Sequence, residues 1–344
     1  ASNSTKASTD SGITANYNSF DIKNDSEISL KGTVALDNGM KVYLQIEFET
    51  DPATAGGNTT NGNTTAQVAL DESYLGIDTN GYGDIRIGNQ KLASGTVGGI
   101  SAPTAGGLNK MNGDTSLWVV RPSSGMTIAS AFAGLSGADQ NRINYLSPTI
   151  AGFRLGAGYT PSTTETDALP VVGGTVGTET QIADVGLTYG FDLAGAAIRL
   201  GTTFVSNSGT ASASSEQVSF GSDVKLGDFT VGGQWVHTWN AQHDGKSAAA
   251  PANSGKSDSW NAGIAYAPGP YKVALRTQQT THEGVRTISG SDKAISYSLS
   301  GNYVLGPGVE LVGDVIRMEW RDEGNVAASE NKGWAVIGGI AVTF

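Results

Sequence analysis

The 344-residue chain has no cysteine, only 10 prolines and few charged residues. Without cysteine it can form no disulfide framework, no catalytic thiol and no thiolate metal site. Charged residues make up 15% of the chain, whereas about a quarter is usual in soluble proteins. No run of about 18 apolar residues occurs, so no helix of this sequence is expected to span a bilayer.

Basic residues are also in short supply, because 21 Lys and Arg stand against 32 Asp and Glu. The formal net charge of −11 argues against a polyanionic partner, so no nucleic acid is expected to bind. What is abundant is glycine, at 48 residues, together with Ser, Thr and Asn. This composition disfavours a helical protein and suits either a β-barrel or a secreted β-rich fibre.

The dominant pattern is alternation of apolar and polar residues with a period of two, as in Lys41 to Glu49 (KVYLQIEFE). A mean hydropathy of −0.17 conceals such an apolar face, because the polar face cancels it in the average. Sixteen segments carry the pattern or fit between turns, and they predict strands at 13–20, 25–36, 40–50, 67–78, 83–90, 141–147, 152–159, 181–191, 197–206, 216–226, 229–240, 258–266, 271–280, 292–304, 308–320 and 332–344.

The connections between these strands are alternately short and long. The short ones carry hairpin-turn residues, as in LDNGM at 36–40, and the long ones are polar, the longest being 91–140. Short turns at one end and long loops at the other are typical of an outer-membrane barrel, and Trp and Tyr near strand ends suit its interfacial girdle. Sixteen strands predict an all-β, antiparallel transmembrane barrel with an open aqueous interior.

Alternation fails in one predicted strand, 308–320. There Leu311 and Val315 are in phase with Arg317, whereas Val312 and Ile316 are in phase with acidic residues. A β-bulge would explain this break, and so would packing of that face against another subunit.

Four stretches, in order along the chain, resemble a known family. They are DSEISLKGTVALDNGMKVYLQIEFETD (25–51), DESYLGIDTNGYGDIRIGNQ (71–90), NRINYLSPTIAGFRLGAGYTP (141–161) and the final GGIAVTF. Together they resemble the trimeric general diffusion porins of Gram-negative bacteria, especially the alphaproteobacterial branch. The resemblance implies one barrel over residues 1–344, a homotrimer, and a third loop, residues 91–140, folded inward as the pore constriction. It also implies that Phe344 is the signal read by the barrel-assembly machinery.

One departure from the family concerns charge. The general porins set acidic loop residues against an arginine cluster on the wall, but the matching wall positions here are Glu27 and Asp71. The charges at the centre of the long loop are Lys110, Asp114 and Arg121, which are the candidate constriction residues. The acidic balance therefore predicts a weak preference for cations.

The predicted function is passive diffusion of ions and small hydrophilic solutes across the bacterial outer membrane. The expected partners are other copies of the chain, outer-membrane lipid and lipopolysaccharide, and the solutes themselves. The candidate pore-lining residues lie on the polar phase of the strands: Glu27, Lys31, Lys41, Glu47, Asp71, Arg86, Arg199, Asp223, Lys225, Lys272 and Arg276.

Two alternatives stay open from the sequence. A substrate-specific channel could be built on the same barrel, and a secreted β-rich adhesin would share the composition but should show a short repeat, which is not found. An enzyme is not expected, because the three histidines fit no Ser-His-acid set and no G-x-S-x-G motif occurs. No cofactor is expected; Ca²⁺ at Asp322, Glu323 and Glu330 is conceivable, but solvated loop charge is the favoured interpretation.

Overall fold

The structure is a computed structural model, and it describes residues 2–5, 20, 22, 26–49, 69–105, 119, 139–162, 179–209, 215–242, 253–283, 290–322 and 330–344. These residues form sixteen strands and one short helix, α1 (Ala93–Gly98). The strands are β1 (Ser2–Thr5), β2 (Glu27–Ala35), β3 (Lys41–Glu49), β4 (Ala69–Asp78), β5 (Asp84–Gln90), β6 (Gln140–Leu146), β7 (Phe153–Thr160), β8 (Glu179–Leu193), β9 (Ala196–Gly209), β10 (Ser215–Leu226), β11 (Phe229–Gln242), β12 (Asn253–Tyr266), β13 (Tyr271–Glu283), β14 (Ser291–Gly306), β15 (Val309–Arg321) and β16 (Asn331–Val342). No helix in these ranges is long and apolar enough to cross a membrane.

All sixteen strands belong to one antiparallel sheet, in the order β1-β16-β15 and so on down to β2. Each strand from β2 to β16 pairs with its neighbours in sequence, so the sheet is a continuous meander. The prediction of an all-β fold with sixteen antiparallel strands is confirmed. Its long connections also fall where they were expected, between β3 and β4 and between β5 and β6.

The first strand that the structure describes lies outside the predicted range 13–20, of which residues 13–19 are outside the described residues. Strand β1 is Ser2–Thr5, and it pairs with β16 through Ser2 opposite Ala335 and Thr5 opposite Lys332. Of the predicted strand at 13–20, only residue 20 is described, and it is not in a strand. The sequence SNST has no apolar alternation, so the pattern that located the other strands could not locate this one.

The sheet has one apolar and one polar face. Exposed large apolar side chains lie on the first, among them Leu44, Phe204 and Val231. Aromatic rings group near both ends of this face: Phe229 stacks on Tyr266 at a centroid distance of 4.5 Å beside the short turns, and further rings lie near the long connections. Rings at both edges of an apolar band are the membrane-interface girdle.

Of the two explanations offered for the break at 308–320, a bulge within β15 does not apply, and the one register shift beside this strand lies in β14, between Val304 and Gly306. Strand β15 pairs without interruption with β16 from Val309 to Trp320, and with β14 from Glu310 to Arg321. Its apolar residues on the polar face, including Val312 and Ile316, are buried rather than displaced by a bulge. A bulge does occur elsewhere, in β4, between Leu70 and Ser73.

Candidate functional site

The start of the long connection, from Leu92 to Ala105, lies on the polar face of the sheet. Three of its backbone amides donate to side chains of that face. The amide of Ser94 donates to Asp184 of β8 (2.6 Å), that of Ala102 to Asn261 of β12 (2.7 Å), and that of Ala105 to Ser300 of β14 (3.3 Å). The segment therefore crosses the strands one after another, and its backbone polar groups are satisfied by the wall.

Helix α1 packs against the wall through small apolar contacts. Ala93 and Val97 form a buried cluster with Leu146 of β6. Leu92, just before the helix, is buried with residues of β8 and β9. The helix has no capping side chain at its own N-terminal flank, so the Asp184 carboxylate on the wall supplies the acceptor for an amide of the first turn.

Residue Val119, further along the same connection, reaches the far side of the polar face. It is fully buried in a cluster of seven residues, the others being Ala294, Ile316, Met318, Trp320, Ala335 and Ile337 of β14, β15 and β16. This contact explains why the alternation fails in β15, because the apolar residues on its polar face are covered by the connection. The described residues of the long connection, 92–105 and Val119, thus lie on the polar face of the sheet.

The opposite part of the polar face, on β3 and β4, is acidic. The bulge in β4 places both Asp71 and Glu72 opposite Glu47. Glu72 is buried, accepts a hydrogen bond from Gln45 (Nε2–Oε2 2.9 Å) and lies 3.2 Å from the Lys91 ammonium. Two carboxylates thus enter the polar face where strict alternation would place one.

Asp139 joins this acidic group from the end of the long connection. Burial raises its pKa to about 7; Lys91 opposes the shift, whereas Asp71 and Glu72 reinforce it. For Lys91, burial lowers the pKa, but the nearby Glu72 carboxylate outweighs burial and the net shift is upward. Lys91 is therefore held as a cation, whereas Asp139 titrates near neutral pH.

Seven of the eleven predicted lining residues fall into three groups. Glu27, Glu47 and Asp71 come together in the acidic group, since Glu47 interacts with both of the others. Lys31 is exposed on β2, opposite Gln45, beside that group. Lys41, Lys225 and Lys272 lie at strand ends beside the short turns, away from the long connection.

Two predicted arginines are paired with carboxylates of the wall. Arg199 makes two hydrogen bonds to Asp223, one of them Nε to Oδ1 at 3.0 Å. Arg86 donates to Asp84 (2.7 Å), which also accepts from Tyr43 (2.6 Å). These pairs hold the guanidinium groups against the wall.

Arg276 of β13 instead lies directly opposite Gly263 of β12. Ala102 of the long connection also packs next to Gly263, so Arg276 lies near Ala102.

The remaining predicted residues are the candidate constriction residues, the conceivable Ca²⁺ ligands and Phe344. Lys110, Asp114 and Arg121 lie outside the described residues. Of the three conceivable Ca²⁺ ligands, Glu323 also lies outside them, and in the ranges that the structure covers no cluster of three His, Asp or Glu has metal-binding geometry. Phe344 follows β16 and is fully exposed, and its role in assembly stays a prediction.

Two residues of the acidic group were missed from the sequence. Glu72 was not among the predicted lining residues, because strict alternation from Asp71 puts it on the opposite face and a bulge leaves no signature in the alternation. Asp139 was counted as part of a long loop of unknown path. Its position immediately before β6 could have marked it as a residue near the wall.

Comparison with known proteins gives the fold and the family. A family model described as Gram-negative porin matches residues 2–323. A mutant of the Rh. blastica porin is 18% identical, with 98% of this chain and 95% of that chain covered at a TM-score of 0.59. The anion-selective porin from Comamonas acidovorans is 17% identical, with 94% and 90% covered at 0.59. Salmonella typhi OmpF in complex with daunomycin is 11% identical, with 92% and 90% covered at 0.61.

No curated protein matches the chain by sequence. The solved neighbours show the fold, which is the porin β-barrel, with the polar face turned to the lumen and the apolar face to lipid. The family and the fold are those of non-enzymatic channels, and a secreted adhesin is excluded. The chain belongs to the Gram-negative porin family and is a β-barrel channel of the outer membrane for passive diffusion of small solutes.

Proposed function

We propose that the chain forms one barrel over residues 1–344, that residues 91–140 constrict its pore, and that the pore weakly prefers cations. The observation that carries the selectivity is the acidic group. Five carboxylates, those of Glu27, Glu47, Asp71, Glu72 and Asp139, lie together on one side of the lumen. Within that group Lys91 supplies the cationic partner, through Glu72.

The excess of negative charge concentrates cations at the constriction. Fixed charges beside a narrow path in a low-dielectric wall raise the local counter-ion concentration more than net charge alone would. The fold does not decide the sign, because the porin from Comamonas acidovorans is anion-selective on the same barrel. The sign must therefore come from wall charges such as these.

We infer the homotrimer from the distribution of aromatic residues on the outer face. The outward positions described in β2 to β5 carry mostly aliphatic residues, with Phe48, Gly32, Ser73 and Asn89, but neither Trp nor Tyr. Strands β11 to β14, by contrast, carry stacked rings near their ends. A face without a girdle fits contact with another copy, whereas a girdled face fits lipid. Lys256 and Lys293, exposed near the long connections, would meet lipopolysaccharide phosphates there.

The test is the reversal potential in planar bilayers under a KCl gradient. We expect cation selectivity for the unmodified protein and loss of most of it in the triple variant Glu47→Gln, Asp71→Asn, Glu72→Gln. Glu310→Gln is the matched control: it neutralises a lumen carboxylate that lies near a short turn and is hydrogen-bonded to Asn302. Anion selectivity of the unmodified protein would refute the proposal. Liposome swelling that favours one solute beyond its size would instead indicate a substrate-specific channel.

A further inference from the structure

We propose that a row of glycines on the lumen wall is the seat that fixes the position of the constricting segment, and with it the open cross-section of the pore. The row, called here the glycine seat, consists of Gly156, Gly186, Gly201 and Gly221, on β7, β8, β9 and β10. This inference rests on the proposed function, in which the segment from Leu92 onward narrows the lumen.

The first two glycines of the seat support the start of helix α1. A Cβ atom added to Gly156 would lie 2.6 Å from the carbonyl oxygen of Ala93, and one added to Gly186 would lie 2.6 Å from that of Ser94. Real Cβ atoms do not approach other heavy atoms within 3.0 Å. The two glycines are directly opposite each other in the sheet, so they form one flat area.

The next two glycines support the end of the helix and the residues after it. An added Cβ would lie 2.4 Å from the Gly98 carbonyl oxygen at Gly201, and 2.0 Å from the Ile100 carbonyl oxygen at Gly221. Gly201 and Gly221 are also directly opposite each other. The seat is thus two adjacent glycine pairs that meet four carbonyl groups of one segment in chain order.

Glycine supplies more than space at these positions. The direction of the missing Cβ is that of an α-hydrogen, so each carbonyl oxygen faces a Cα–H group of the wall. Such Cα–H···O contacts are weak hydrogen bonds, and they recur here four times along one segment. Carbonyl groups turned to the wall in this way are also withdrawn from the lumen.

Among the wall glycines that the structure describes, an added Cβ would meet a carbonyl oxygen of this segment within 3.0 Å only at the four positions of the seat. Gly190 lies on β8 on the same face as Gly186, yet an added Cβ there would meet nothing closer than 4.0 Å. Hydrogen bonds also fix the segment at the first end of the seat, from the Ser94 amide to Asp184, and beyond its other end, from the Ala102 amide to Asn261. If the segment lost its contacts with the glycine seat, these hydrogen bonds would still hold it at both positions. It could then be displaced only into the lumen.

The experiment compares three variants in planar bilayers: Gly221→Ala, Gly201→Ala and the control Gly190→Ala. In Gly221→Ala the Ile100 carbonyl must retreat by about 1 Å, from 2.0 to 3.0 Å. We expect lower single-channel conductance in Gly221→Ala, a smaller loss in Gly201→Ala and no change in Gly190→Ala. Unchanged conductance in correctly folded Gly221→Ala, as judged by heat-modifiable migration in gels, would overturn the proposal.

A cysteine pair keeps the proposal testable if the alanine variants do not fold. A Cβ added to Gly263 would lie 3.3 Å from Cβ of Ala102, close to the separation in a disulfide. It would also lie 2.9 Å from the Leu275 carbonyl oxygen, so β12 must shift by a few tenths of an ångström to accept it. The chain has no other cysteine, so Ala102→Cys with Gly263→Cys can form one bond only. We expect the bond to form under oxidising conditions and conductance to be the same oxidised and reduced. A rise on reduction would show that the seat does not hold the segment. Absence of conductance in the unmodified protein would refute the proposed function instead.

Discussion

The lumen wall has two parts that differ in what covers them. Across β3 and β4 the wall carries carboxylates such as Glu47 and Asp71, with long polar side chains around them. Across β7 to β16 it carries glycine, small polar residues and an apolar cluster, because the long connection lies on it. One face of one sheet is thus a charged channel surface in the first part and a packing surface in the second. The residue type at a wall position therefore depends on what packs against that position as well as on the alternation along the strand.

The largest expected effect tests the covered part of the wall. Ile316→Ala removes a side chain that is 0% exposed in the cluster around Val119, and it should lower the free energy of unfolding by about 2 to 5 kcal/mol. Denaturation in detergent or lipid, followed by gel migration, measures the change.

The control for Ile316→Ala is the residue that precedes it in the strand, Val315. Val315 faces outward and is 46% exposed, so Val315→Ala should cost much less than Ile316→Ala. Equal losses in the two variants would mean that the long connection contributes nothing to packing at this wall.

A smaller effect concerns the charged part of the wall and its pH dependence. Because the pKa of Asp139 is raised to about 7, its carboxyl is neutral below that pH and ionised above it. Asp71, Glu72 and Lys91 face it from β4 and from the start of the long connection, and Arg142 faces it from β6. Raising the pH from 6 to 8 therefore adds one negative charge, and cation selectivity should increase.

The measurement is the reversal potential at both pH values, in the unmodified protein and in Asp139→Asn. In Asp139→Asn the reversal potential should be the same at pH 6 and at pH 8. A step of equal size in both proteins would assign the titration to another group.

The smallest effect is expected from a lumen residue that lies away from both the acidic group and the segment that crosses the wall. Lys225 is exposed at the short-turn end of β10, away from the long connection. Lys225→Ala should leave conductance and selectivity unchanged in bilayer recordings at physiological salt, where charges beyond about 8 Å are screened. A clear change in selectivity would place the selective region nearer the short turns.

The sequence was sufficient to predict the strands of the sheet, but it was not sufficient to predict the path of the long connection. Alternation over Lys41 to Glu49 located β3 within a residue at each end, because every side chain there has one fixed neighbourhood, lipid or lumen. The acidic residues Glu27, Glu47 and Asp71 were identified as lumen-facing for the same reason. Short turns with Asn-Gly chemistry then separated one strand from the next.

What could not be predicted depends on contacts distant in sequence. The buried Ile316 and Ile337 contradict alternation only because Val119, some 200 residues earlier, packs on them. Glu72 joined the acidic group through a bulge that the pattern does not mark. The role of Gly201 and Gly221 needed the position of the segment above them, since glycine is common throughout this chain.

The glycine seat also has a consequence for how the protein reaches its folded state. A slip of one residue in the pairing of a strand exchanges its two faces. In β10 such a slip would turn Phe220 toward the lumen at the place where Gly221 supports the Ile100 carbonyl. The described segment of the long connection therefore fits the wall only when β7 to β10 are paired in register. Its contacts stabilise the correct pairing relative to a slipped one.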